Sequence, residues 1–337
     1  MATKPCTRCG EEKDRSEFYA HGGRKDGLQP WCKICQIAYM AARRFSKTEI
    51  VGDKVPDPGV YPGIPPDTYH AWDAASNSSM SKLFRSPAHL KSYLEEGQKE
   101  TPALFLGMAI HAAVLEPDRF GDDYGVMPAD LKRTTKEGKA AWFELTEKHG
   151  DGNVLKAKDH EICMRIRDSV YGKKTAAALL KGTGEVELSL TWRDKETGVL
   201  CKSRWDRHSP DMAGGAIVDL KTTQDAEKRS FEKSIFNFGY HRQGAMYTMG
   251  AKALAMPVQH FSIIAVEKTP PYECAVYRLT EGTLEAGDDQ IRALLRRYAE
   301  CLMTDEFPGY PDEVQDITVP DWAWQVIDNQ ILEIEET

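Results

Sequence analysis

No run of about 18 apolar residues occurs anywhere in the 337-residue sequence, so no membrane-spanning helix is expected. The first residues, Met1-Ala2-Thr3-Lys4-Pro5-Cys6, lack the apolar stretch of a secretory leader, and a cytoplasmic protein is expected. Disulfides are rare in that compartment, so the eight cysteines need another explanation. Internal repeats are absent as well. So is any excess of positive charge: 44 Lys/Arg against 52 Asp/Glu give a net charge of -8, which argues against a protein that coats nucleic acid. The balance is uneven, however. Residues 1–48 hold ten Lys/Arg and five Asp/Glu, a local +5 that leaves -13 for the remainder. A basic head on an acidic body is compatible with an enzyme that holds nucleic acid locally.

Four of the cysteines fall in two pairs, Cys6-x-x-Cys9 and Cys32-x-x-Cys35. Two-residue spacing lets both thiolates of a pair reach one tetrahedral ion through a tight turn. Two pairs complete a closed four-thiolate site, the pattern of structural Zn2+. A redox CxxC pair would need a thioredoxin-like βαβ setting, which is missing. Arg8, Arg24, Lys25, Lys33, Arg43 and Arg44 form a basic surface that either meets phosphates or is simply solvated.

The chain divides into a cysteine-rich module at 1–45, a Pro/Gly/Asp-rich linker or irregular lead-in at 46–75, and a regular domain at 76–337. Ser78 or Asn77 is placed to cap a short helix. Ser86-Pro87 and Thr101-Pro102 are N-cap and first-turn pairs that open two more. The segment Ala103–Leu115 is apolar almost all round and reads as a buried helix. After charged helical material at 136–180, Val186, Leu188, Leu190 and Trp192 alternate with polar residues, giving a half-buried strand. Strands at Val199–Asp206 and Ala216–Lys221 complete a meander. A helix near Tyr240–Leu254, strands near 260–267 and 273–279, and an amphipathic helix through Leu284, Ile291, Leu294, Leu295, Tyr298 and Leu302 follow. The order predicts an α/β core with a mixed sheet flanked by helices.

Asp219 and Lys221, two apart on a strand, share one face at roughly 7 Å between Cα atoms. Either they form an ordinary ion pair at a strand end, or they belong to a hydrolytic site in which the carboxylate holds Mg2+ and the amine orients water. An antiparallel connection through 207–215 can bring Asp206 beside Asp219, and paired carboxylates suit Mg2+ or Mn2+. Gln243 and Tyr247, spaced i, i+4, share one helical face. They form a capped polar face or reach a phosphate or the lysine. His111 is a satisfied core histidine or a neutral ligand to the metal.

From about Tyr61 to Pro308 the chain resembles the PD-(D/E)xK nuclease superfamily, and within it RecE-type exonuclease VIII proteins of phages and prophages. The resemblance rests on Ser76-Asn77-Ser78, Ser86-Pro87-Ala88-His89-Leu90, Thr101 through His111, Leu115-Glu116-Pro117, Gly198 through Arg207, Val218 through Thr223, and Gly239 through Gln243 with Tyr247. It implies that His111, Asp206, Asp219 and the Leu220 carbonyl hold a catalytic Mg2+ or Mn2+. It also implies that Lys221 is the catalytic lysine and that Gln243 and Tyr247 form the QxxxY motif. Asp219 replaces the longer Glu at the second acidic position. The literal Pro210-Asp211 pair lies in a loop and is read as a decoy, while Glu187 on the neighbouring strand is a reserve ligand. The front of the chain resembles small zinc ribbons of phage nucleases.

The activity implied is 5′-to-3′ digestion of duplex DNA from an end, producing 3′ overhangs for recombination in a phage-infected or prophage-bearing bacterial cell. A RecT-type single-strand annealing protein and a homo-oligomer are the implied partners. The alternatives are an endonuclease or nickase targeted by the zinc module, and a catalytically silent DNA-binding protein of the same fold. An iron–sulfur cluster is not expected, since Cys274 and Cys301 alone cannot complete one.

Overall fold

The computed structural model describes residues 3–36, 55–97, 99 and 101–335. The head consists of two short antiparallel hairpins, β1 (Thr3–Pro5) with β2 (Glu12–Asp14) and β3 (Phe18–Ala20) with β4 (Leu28–Cys32). Residues 37–45 of the expected module and 46–54 of the expected lead-in lie outside the described residues.

The described part of the lead-in is no linker. β5 (Gly59–Tyr61) pairs antiparallel with the later strand Glu185–Arg193 and forms an edge of the main sheet. The short helix α1 (Pro66–Ala71) is held by a buried lysine. Lys202 donates to the carbonyls of Tyr69, His70 and Trp72 at 2.9, 3.1 and 2.7 Å. They lie at the C-terminal end of the helix, where amide donors run short. Pro and Gly punctuate this segment without detaching it.

Helices α2 (Asn77–Met80), α3 (Pro87–Glu96) and α4 (Pro102–Leu115) follow. Ser86 and Thr101 cap the last two as their sequence indicates, accepting from the amides of His89 and Leu104. At α2 the cap is Ser76 rather than Ser78 or Asn77, because Ser76 and Ser79 exchange both bonds of a capping box. In the second half of α4 Ala109, Ile110, Ala113, Val114 and Leu115 are buried, but Met108 is 44% exposed, so the helix is less enclosed than its composition suggests. The helical stretch expected at 136–180 is interrupted. After α5 (Phe120–Asp123), β6 (Gly125–Met127) and α6 (Lys136–His149), the strand β7 (Val154–Lys156) pairs parallel with β6 before α7 (Ala157–Gly172) and α8 (Lys174–Leu180).

The main sheet adds β8 (Glu185–Arg193), β9 (Leu200–Ser209) and β10 (Ala216–Thr223), then, after α9 (Lys228–Asn237) and α10 (Tyr240–Ala253), β11 (His260–Glu267) and β12 (Cys274–Arg278). Its order is β12-β11-β10-β9-β8-β5. Only β10 and β11 run parallel, as the α9–α10 crossover between them requires; the sheet is mixed, as expected. The helices α11 (Glu281–Thr304) and α12 (Asp321–Glu335) end the described chain.

Apolar layers cover both faces of the sheet. One gathers Ile217, Phe261 and Ile263 with Met246 of α10 and Ile291 and Leu295 of α11. The other gathers Val218, Leu220 and Ile264 with Ile110 of α4 and Ile166 of α7. β8 is therefore not half-buried: Ser189 and Thr191 are as enclosed as Leu190 and Trp192. The strict alternation of β8 also breaks. Val186 packs with the α4–α7 layer, whereas Leu188 joins the α10–α11 layer. Glu187 between them has φ +53°, a left-handed conformation that costs a non-glycine residue about 1–2 kcal/mol.

The α10–α11 crossing depends on Gly287, where a Cβ would come 2.3 Å from the carbonyl oxygen of His241. Gly287→Ala is expected to destabilise the protein by about 1–3 kcal/mol, as overpacking does. Urea unfolding reads this as a lower midpoint at unchanged slope. An unchanged midpoint would mean that the two helices separate without cost.

Candidate active site

β9 and β10 pair only through Ala216↔Ser209, Ile217↔His208 and Val218↔Arg207. Beyond that point β9 continues along β8, with pairs through Arg193↔Leu200, and β10 continues along β11 to Thr223↔Glu267. Asp206 and Asp219 are the first residues past the last shared pair, so they face each other where the sheet forks. The Leu220 amide donates to Asp206 Oδ2 at 2.7 Å, a bond that a strand neighbour would otherwise accept.

Asp219 is fully buried. Lys221, two residues along the same face, places Nζ 2.6 Å from Asp219 Oδ2. The other carboxylate oxygen accepts from Gln243 Nε2 at 2.8 Å, and the same amide donates to Tyr247 Oη at 3.0 Å. The i, i+4 spacing on α10 thus delivers one chain of contacts, Tyr247 to Gln243 to Asp219 to Lys221. Tyr247 is fixed by the ring of Trp205 at 6.4 Å and of Phe261 at 6.0 Å. Burial keeps its phenol well above the ordinary range, hence neutral. The Tyr240 ring lies 5.1 Å from Lys221 Nζ.

From the opposite layer, α4 brings His111 Nδ1 to 3.5 Å from Asp206 Oδ2. Burial, then the charge of Lys221, lowers the histidine pKa, while a hydrogen bond with the Leu220 backbone opposes this. Glu187 and Asp206 both fall in the gap of the β8–β9 register between Val186↔Arg207 and Leu188↔Trp205, and Glu187 is ion-paired with Arg204, which also donates to the Ile64 carbonyl at 2.8 Å. His111, Glu187 and Asp206 each offer a ligand atom, all within 4.8 Å of one another.

Burial pushes Asp206 up to about 7 and Asp219 up to about 6, with Lys221 pulling both back down. Two enclosed carboxylates held this far above their usual range are short of positive charge. Carboxylate donors with an imidazole around such a deficit fit a divalent cation.

His111, Asp206, Asp219, Lys221, Gln243 and Tyr247 are thereby brought together, with Leu220 at their centre. Asp219 lies outside the His111–Glu187–Asp206 group and is held by Gln243 at Oδ1 and by the Lys221 ion pair at Oδ2, each oxygen keeping a lone pair for a cation. Asp211 lies elsewhere, accepting from the Thr183 amide and hydroxyl at 2.8 and 2.6 Å in an exposed loop. Arg204 and Tyr240 were not singled out by sequence reasoning. Tyr240 carried a signal: it begins the helix that bears Gln243.

A family model described as "PDDEXK-like domain of unknown function (DUF3799)" matches residues 76–318. The chain belongs to this PDDEXK-like family. The match leaves out β5 and α1, although both are built into the PDDEXK-like sheet and its lead-in. A solved structure named "Putative exonuclease", from Eubacterium rectale, is 15% identical, covering 74% of this chain and 91% of that one at a TM-score of 0.45. Another, SSO0001, is 9% identical over 77% and 85% at a TM-score of 0.27. No curated protein matches the chain in sequence.

Ahead of the PDDEXK-like domain, the ligand atoms of Cys6, Cys9, Cys32 and Cys35 all lie within 4.8 Å of one another. Against its burial, the backbone amides of Cys32, Cys9 and Arg8 draw the Cys6 thiol down to about 6, which favours a thiolate ligand. Of the basic residues, Arg8 lies over Trp31 at 4.9 Å and Lys33 over Tyr19 at 5.4 Å. Arg43 and Arg44 lie outside the described residues. Among the described residues no helix is long and apolar enough to cross a membrane.

Proposed function

We propose that this PDDEXK-like chain is a divalent-metal-dependent deoxyribonuclease that digests duplex DNA from its ends, by preference 5′ to 3′. The observation that carries the reading is the Tyr247–Gln243–Asp219–Lys221 chain at the mouth of the β9–β10 fork, facing Asp206. An acid and a lysine paired on a core strand need no cleft. Here they open onto a second buried acid, a histidine and a backbone carbonyl.

His111, Asp206, Asp219 and the Leu220 carbonyl would hold Mg2+ or Mn2+, with Glu187 in reserve. The cation supplies charge stabilisation to the phosphate oxygens and acidifies water. Lys221 hydrogen-bonds the attacking water and fixes its approach; Asp219 holds that ammonium in place. Gln243 in turn fixes the Asp219 carboxylate, and the neutral Tyr247 limits the rotation of the amide. The four-cysteine head would hold structural Zn2+ and give DNA a second contact. The 3′ overhang so formed suits a strand-annealing partner of the RecT type.

End-labelled linear duplex and covalently closed circles with Mg2+ separate this reading from an endonuclease. Linear DNA is expected to lose its 5′ label as mononucleotides while circles persist. A phosphate inside paired duplex reaches such a site only after strands separate, whereas an end frays at small cost. Rapid nicking of the circles, with no mononucleotides from linear DNA, would overturn the end-dependent reading in favour of the nickase.

A further inference from the structure

Phe236, at the end of α9, and Phe238, in the turn into α10, are 69% and 67% exposed. Scattered single apolar residues on a surface are ordinary, but two phenylalanines held two residues apart beside a candidate site are not. The turn that presents them passes through Gly239 at φ +70°, a left-handed conformation that favours glycine. Each ring is also backed by another. Phe236 lies nearly parallel to His241 at 6.1 Å with 7° between planes, and His241 is anchored between the Ile235 carbonyl and Gln290 at 3.1 and 3.0 Å. Phe238 stacks on Tyr240 at 5.7 Å, and Tyr240 is the ring beside Lys221 Nζ. Through Phe238 and Tyr240, aromatic faces therefore lead from solvent to the lysine, with Phe236 two residues away.

We propose that Phe236 and Phe238 form a stacking platform for unpaired nucleobases, which holds the strand whose phosphate reaches Lys221. The proposal deepens the nuclease reading and rests on it for what the platform serves. The body of the chain carries a net charge of -13, so general attraction for phosphates is weak there and a non-ionic contact has more to do. Every base presents a π-face, so stacking tolerates any sequence, as a nuclease that advances along a strand requires. The bound form is then a frayed end or single-stranded tail rather than closed duplex. The surface lies in continuity with the site through Tyr240, which favours substrate over a second copy of the chain.

The test uses the full chain and a fluorescein-labelled single-stranded dodecamer with no Mg2+ or Mn2+ added, so that binding is read without hydrolysis and the four-cysteine head keeps its metal. F236A/F238A is expected to bind about tenfold or more weakly, since each stacked base is worth about five- to a hundredfold. Wild type should lose a similar factor on the same oligonucleotide made abasic, while the double variant should not distinguish the two. The loss should persist at high salt, unlike that of a phosphate contact. F236W/F238W should restore binding. Hydrolysis of bis-p-nitrophenyl phosphate, which has no base, should be unchanged in the double variant. Equal binding of normal and abasic strands by wild type overturns the platform, as does unchanged affinity in F236A/F238A or an altered oligomeric state as its only effect. The nuclease reading fails separately, if wild type hydrolyses neither DNA nor the small diester with Mg2+.

Discussion

Lys221→Ala is expected to lower hydrolysis of DNA by about 10^3-fold or more while the fold persists, and Asp219→Asn to do the same. Neither side chain belongs to the apolar layers. Lys221 touches Asp219 and the Tyr240 face, and Asp219 is held by Lys221 and Gln243. Without the lysine, Asp219 loses the charge that holds its pKa down, and a carboxyl already pushed to about 6 takes a proton instead of remaining an unpaired buried anion. The fold is thus protected from the substitution and the chemistry is not. Single-turnover digestion of end-labelled duplex with saturating Mg2+, beside a thermal melt of each variant, measures both. A variant that unfolds near the wild-type temperature and keeps more than a tenth of the rate would sink the assignment of these residues.

The second large effect concerns the head. Its described core contains only Cys6, Phe18 and Cys32 as buried residues, with Leu28, Trp31, Ile34 and Cys35 packed against them. So small a core does not hold two hairpins together by burial alone. Metal binding at a four-thiolate site is folding energy for such modules, about 10–16 kcal/mol in apparent terms. Full-length protein is expected to carry one Zn2+ per chain, and C32S/C35S to carry none. Trypsin should then cut the variant rapidly at Arg8, Arg15, Arg24 and Lys33 while the body stays intact. The rate of the chemical step on a short oligonucleotide should stay near wild type. Near-stoichiometric zinc in C32S/C35S would refute the four-cysteine site.

Much of this architecture was legible where local rules act alone. The alternation around Leu188–Trp192, the antiparallel connection through 207–215 and the two-residue step from Asp219 to Lys221 placed the meander and put Asp206 opposite Asp219. The caps at Ser86 and Thr101 marked helix starts, because their bonds depend on residues three positions away. Three features were not legible. Gly59–Tyr61 is three residues long amid prolines, and its strand character comes from β8, more than a hundred residues distant. Glu187 sits in a regular polar–apolar alternation, yet its left-handed backbone sends Val186 and Leu188 to opposite layers. Tyr240 meets Lys221 only because the α9–α10 turn brings the start of α10 over the end of β10. The apolar content of Ala103–Leu115 overstated its enclosure, since composition fixes how much surface a helix would bury and not what stands opposite it.

The bond from the Leu220 amide to Asp206 has a meaning beyond charge. Antiparallel strands behave like a zipper, and each amide that finds a carbonyl on the neighbour draws the next pair closed. Past Val218 and Arg207, the next amide of β10 to face β9 is that of Leu220, and a carboxylate has already claimed it. Asp206 is therefore the stop in the zipper, a side chain standing where a backbone partner would go. The opening between β9 and β10 is held by an oxygen of the carboxylate that the proposed metal site would use. A chain that loses this acid loses the proposed ligand and the stop together, and the gap it guarded is free to close.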